Sequence, residues 1–170
     1  GRPLNEPCGL AVALGRLYVA DAGNSRICVF DVRSSPFRFL FDIVSAGHSS
    51  PEQLRLHYPC DVAVATRRDA AEKEPHQSSH ASLGSRGRLF VVDRDSARIS
   101  AFDLHDGRRI RTFGGGMGSP YAIAYASGLL LVGDRRSDLM HIFSSTGQPL
   151  QTMPLPSWPF GLQPIGGWRV

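Results

Sequence analysis

Residues 15–31 read GRLYVADAGNSRICVFD, and this stretch returns twice with its spacing kept, as GRLFVVDRDSARISAFD over 87–103 and GLLLVGDRRSDLMHIFS over 128–144. Each copy is a pair of short apolar runs separated by a polar turn. In the first copy, Leu17 to Ala20 and Ile27 to Phe30 lack the alternation of a sheet with one face in water, so strands covered on both faces are predicted. The ADAGNSR segment between them offers Gly23 and Asn24 for the positive-φ positions of a tight hairpin.

Working outward, a further strand flanks each copy on either side. Upstream lie PCGLAVA from Pro7, PCDVAVA from Pro59 and PYAIAYA from Pro120. Proline has a fixed φ and no N–H, which suits the first residue of a strand and not its middle. Downstream lie Phe37 to Val44, Arg108 to Phe113 and Pro149 to Met153. Four antiparallel strands per unit make a blade, giving units at 7–58, 59–119 and 120–158, and PFGLQPIGGWRV at 159–170 opens a fourth. The opening prolines stand 52, 61 and 39 residues apart. The long middle step has a local cause: Pro7 to Asp21 spans 14 positions, whereas Pro59 to Asp93 spans 34. The surplus is a polar insertion at 66–86, almost free of large apolar groups and predicted to be a disordered loop. With it set aside, the period lies near ~40 residues, the sequence sign of a β-propeller. The expected fold is all-β, about three four-stranded blades and the start of another.

A chain of 170 residues with 42% hydrophobic and 20% charged residues is that of a globular domain and not of a disordered one. No window holds the ~18 uncharged apolar residues of a membrane-spanning helix, the N-terminus has no apolar signal-peptide core, and no N-x-[ST] sequon occurs. A cytoplasmic location away from membranes is the resulting expectation. The formal charge of +4 comes almost wholly from arginine, since Lys73 is the single lysine. Arginine grips phosphates and carboxylates bidentately, yet Arg16, Arg33, Arg55, Arg88 and Arg169 form no run, which argues against a charged tail that binds nucleic acid. Cys8, Cys28 and Cys60 are odd in number and lack CxxC spacing, so free buried thiols are expected.

The first unit carries a resemblance to a known family. Pro7, Gly9-Leu10-Ala11-Val12, Gly15, Leu17-Tyr18-Val19-Ala20-Asp21, Asn24, Arg26-Ile27 and Val29-Phe30-Asp31 together resemble an NHL repeat, and SPEQLRLHYPCDVAV is similar to the family's linker between blades. The likeness is strong in the first unit, good in the second and weaker in the third. It implies a ring of six blades, of which this chain would supply about half, with the remaining blades coming from the same polypeptide or from a second copy.

Within the repeated turn, Asp21 ends one strand and Arg26 starts the next, and Asp93 with Arg98 repeats the pair. A carboxylate there can accept turn N–H groups while the guanidinium grips it, so a turn lock is expected. In the third unit Asp134 remains, Leu139 takes the arginine position, and Arg135 and Arg136 lie in the turn itself. Either they supply the missing partner or that turn is released for another contact. Positions where the copies depart from one another are the candidate binding residues: Arg94, Asp95, Arg135, Arg136 and Asp138 in the turns, with His57, Tyr58, Tyr121 and Phe160 beside the opening prolines.

Other constellations are weaker. His76, His80, Glu72 and Glu74 form no recognised metal set, and no cofactor is expected. GGGMG at 114–118 lacks the Lys-Ser/Thr and helix of a phosphate loop and reads as a connector between blades. Ser25, Ser137 and Ser145 lack a nucleophile elbow or an identifiable base. Three readings of function follow. The first is a non-catalytic scaffold that binds protein partners. The alternative, which the resemblance permits, is RNA binding through an Arg-bearing face at Arg94, Arg135 and Arg136. The third, also drawn from relatives of this propeller class, is a metal-dependent lyase or lactonase, although the strands expected to line the channel carry only Asp61.

Overall fold

The computed structural model describes residues 3–44, 55–66 and 87–155. The insertion beyond Thr66, the linker that precedes Arg55, and the expected fourth unit with Phe160 lie outside the described residues, as do His76 and His80. Twelve strands are described, in three four-stranded sheets of entirely antiparallel neighbours. Blade 1 holds β1 (Pro7–Ala13), β2 (Arg16–Asp21), β3 (Arg26–Asp31) and β4 (Arg38–Ile43). Blade 2 holds β5 (Pro59–Thr66), β6 (Gly87–Asp93), β7 (Arg98–Asp103) and β8 (Arg109–Phe113), and blade 3 holds β9 (Pro120–Ala126), β10 (Leu129–Asp134), β11 (Leu139–Ser144) and β12 (Pro149–Pro154). In each sheet the strands pair in chain order. The first strands lie side by side, β1 against β5 and β5 against β9, so the blades fan out around a shared inner wall.

Each opening proline is the first residue of its strand, and in every blade the pairing of the first strand slips close to it. Each proline stands opposite the last residue of the second strand, and because it cannot donate to the ladder the register then slips by one residue, as in a bulge. The turn from β1 to β2 places Leu14 and Gly15 at φ 51° and 74°, and Ser127 and Gly128 in blade 3 repeat this at 55° and 83°. Two successive positive φ values match the right-handed twist of a two-residue hairpin.

The turn from β2 to β3 corrects the expectation for Gly23 and Asn24. Ala22 to Asn24 form one 3-10 turn, and the left-handed position belongs to Ser25, at φ 53°. Ala97 and Asp138, the matching residues of the other blades, have φ 49° and 54°. Gly23 is needed for space: a Cβ there would collide with Asn5.

The core lies between blades. Tyr18, Ala20, Ile27 and Val29 of blade 1 pack with Val62, Leu89, Val91 and Phe102 of blade 2. On the other side of the same blade, Phe90, Val92, Ile99 and Ala101 pack with Ile123, Tyr125, Leu130 and Phe143 of blade 3. Alternate residues of β6 therefore serve opposite seams, which explains its unbroken apolar sequence. Phe90 stacks on Tyr125 at 6.2 Å and meets Phe113 edge-on at 6.3 Å.

Polar groups tie the same seams. Arg16 donates to the carbonyls of Leu104 and His105, at 2.9 and 3.1 Å, and Tyr18 donates to Leu104 as well. Arg88, at the equivalent place in blade 2, donates to the carbonyl of Ser145 in blade 3 at 3.0 Å. Leu104 and Ser145 each follow the last residue of their blade's third strand, so one contact recurs at both seams. In blade 3 this position is Leu129, which is 38% exposed. The end blades also leave Leu10 and Val12 in solvent, at 65% and 62% exposure.

Candidate interaction rim

The turns from β2 to β3, from β6 to β7 and from β10 to β11, together with the segment that leads into each opening proline, form one rim of the arc. At its centre stand Asp21, Asp93 and Asp134, all buried. Asp21 accepts from the backbone N–H of Asn5 at 2.7 Å, from the Asn24 amide at 2.8 Å and from Arg26 Nε at 2.6 Å. Asp93 accepts from the His57 N–H at 2.6 Å and from Arg98 Nε at 2.8 Å. Asn5 and His57 both lie two residues before an opening proline. In blades 1 and 2 the carboxylate thus ties the incoming chain to the hairpin, where the sequence pointed to the N–H groups of the turn itself. The arginines complete the tie: Arg26 reaches the carbonyl of Pro3 and Arg98 that of Arg55, each four residues before its proline. Burial pushes the Asp21 carboxyl up, but the Asn5, Asn24 and Arg26 donors outweigh it and hold the pKa below the usual range.

Blade 3 solves the same problem without an arginine. Asp134 accepts from the N–H groups of Gly118, Ser119 and Arg136, at 2.6, 2.7 and 3.1 Å. His141 Nε2 stands 3.6 Å from its other side. Against the upward push of burial, these donors and the Ser137 hydroxyl bring its pKa to about 2. Arg136 contributes only its backbone to the carboxylate, and its stem lies over Gly118. Arg135 donates its N–H to the Ser119 carbonyl. The side chains of both arginines are exposed, and among the described residues neither forms an ion pair. Asp138 is exposed too, and its carbonyl accepts from Leu155.

Between blades 1 and 2 the rim carries an organised cluster. The Arg94 guanidinium sits 3.9 Å from the centre of the Tyr58 ring, within cation–π range, and its Nε donates to Asp95 at 2.9 Å. The Tyr58 hydroxyl donates across the seam to Glu6 at 2.9 Å. Backbone bonds from Arg94 to Tyr58 and from Asp95 to His57 fix the turn against the incoming chain. Four of the candidate residues, His57, Tyr58, Arg94 and Asp95, are thus brought together. Arg135, Arg136 and Asp138 occupy the same rim one blade further on.

Tyr121 is half-buried at the start of β9, and its carbonyl accepts from the Cys60 thiol at 3.2 Å. Cys28 and Cys60 are buried free thiols, whereas Cys8 is exposed, contrary to expectation, because blade 1 has no neighbour on that side among the described residues. Burial pushes the Cys28 thiol up to about 12. The sequence reading also passed over Glu6, Asn5 and His141. Their signal was available in the alignment of the copies: Glu6 and Tyr58 both precede an opening proline, and His141 stands where Cys28 and Ser100 stand. Among the described residues, no three His, Cys, Asp or Glu side chains converge as a metal set. No described helix is long and apolar enough to cross a membrane.

Residues 4–30 match the NHL repeat family. No curated protein matches the sequence. Among solved structures, the hydrazine synthase of Kuenenia stuttgartiensis superposes with a TM-score of 0.67 at 12% identity, over 94% of this chain and 39% of that one. A streptogramin B lyase superposes with a TM-score of 0.60 at 13% identity, over 92% of this chain and 43% of that one. The chain therefore spans about two fifths of each of these proteins. At such identity the likeness carries the propeller fold and no activity.

Proposed function

We propose that this arc of an NHL-like β-propeller is a non-catalytic platform whose rim, formed by the turns between the second and third strands of the blades, binds a protein partner through an acidic segment. One observation carries the reading: Arg135 and Arg136 are exposed and without ion pairs among the described residues, while the Asp134 carboxylate beside them is satisfied by backbone N–H groups. A turn that keeps its lock by other means leaves both guanidiniums available for bidentate bonds to carboxylates. The neighbouring Tyr58 and Arg94 cluster adds a rigid aromatic surface, the kind of group that anchors interfaces. The test is capture of partners from an extract by the whole chain and by a double variant, Arg135→Glu with Arg136→Glu. Loss of bound protein with an unchanged melting temperature is the expected result, and equal capture by both would refute the assignment.

Single-stranded RNA along the same rim is the second reading, favoured by an aromatic ring and three arginines on one surface. Its signature is an affinity for RNA that falls steeply as salt is raised and that the same double variant abolishes.

A further inference from the structure

We propose that Asp61 anchors a binding site for a primary alkylammonium group on the inner wall formed by β1, β5 and β9. This site is separate from the rim and needs no part of the reading above. The wall lines a cavity of about 370 Å³, whose surface includes Leu10, Val12, Val64, Ala124 and Tyr125. Among the described residues, Asp61 is the one carboxylate on this lining. Each first strand pairs along a single edge, so the other edge presents backbone N–H and C=O groups to the cavity. Asp61 lies across those edges: Oδ1 accepts from the Val62 N–H and Oδ2 from the Ile123 N–H of the next blade, both at 2.9 Å. Gly9 opposite makes this possible, since a Cβ there would collide with Oδ1.

The carboxylate is fixed in place but its charge is not matched. Among the described residues no cationic side chain forms an ion pair with it. Burial raises its pKa above the usual carboxylate range in spite of the two N–H donors, as expected of a group that lacks a counter-charge. Each carboxylate oxygen keeps a further acceptor position. An ammonium group brings one positive charge and three donors, which suits one carboxylate and the acceptors of the strand edges, while the alkyl chain lies along the cavity lined by β1, β5 and β9. A calcium ion prefers six to eight oxygens, so a single aspartate favours the organic cation.

Calorimetric titration of the 170-residue chain with n-hexylammonium chloride, and with 1-hexanol as the neutral probe of equal length, tests the assignment. The ammonium should bind about tenfold more tightly or better, and Asp61→Asn, which keeps an oxygen for the Ile123 N–H, should reduce it to the level of the alcohol. Equal binding of the two probes, absence of binding, or undiminished binding by a folded Asp61→Asn chain would each overturn it. Should the variant not fold, amide NMR of the unmodified chain decides: hexylammonium should shift the Val62 and Ile123 resonances and hexanol should not, and resonances that stay still under both probes refute the site.

Discussion

Backbone N–H groups, and no arginine, hold the Asp134 carboxylate, which is buried at 1% exposure with a pKa of about 2. An unfolded aspartate titrates near ~3.9. The lowered folded value stabilises the chain fully above the unfolded pKa, and the contribution is lost as pH falls through the folded one. Asp134→Asn should therefore lower the unfolding free energy by about 2 kcal/mol at neutral pH, and urea titrations should show this gap shrinking between about pH 4 and pH 2. At Asp93 the partner is the Arg98 guanidinium, so Asp93→Ala leaves a partly buried cation without its carboxylate and should cost about 3 kcal/mol. Asp95→Ala breaks only the exposed pair with Arg94 and should stay within about 0.5 kcal/mol. The lock was legible in the sequence because Asp and Arg recur at a fixed separation. Its donors were not, since Asn5 and His57 lie 16 and 36 residues from the carboxylates they bond, and no local pattern encodes a contact that the packing of the blade creates.

Strand positions follow the apolar runs closely, because a blade enclosed on both faces leaves few places for polar residues within it. The slipped pairing beside each opening proline was less visible, although the proline that causes it stood in the sequence. Arg16 and Arg88 read as scattered basic residues and prove to be seam contacts. That role depends on which turn of the next blade lies opposite, a property of how blades stack. Arg16→Ala removes two charge-assisted bonds, to Leu104 and His105, and should destabilise the chain by about 2 kcal/mol. Hydrogen exchange should at the same time quicken in the turn after β7, while the turn after β3 keeps its protection.

For the molecule as a whole, the period of the repeat fixes the blade, and the two seams carry the core. The end blades keep apolar side chains in water, Leu10 and Val12 at one end and Leu129 and Met153 at the other. Such surface binds hydrophobic dyes. Replacing Leu10 and Val12 together by lysine should lower dye fluorescence of the chain while leaving its cooperative unfolding in place, as titration with the dye and a melting curve would show. The arginine at the head of the second strand gives the stack a direction, because blades 1 and 2 each offer a guanidinium to a turn carbonyl of the following blade. Blade 2 alone does both here, giving Arg88 and receiving Arg16. It is therefore the module to copy in tandem: a chain lengthened by a second blade 2 would meet matched partners at every new junction, whereas a repeated blade 3 would set Leu129 against a carbonyl that has nothing to accept.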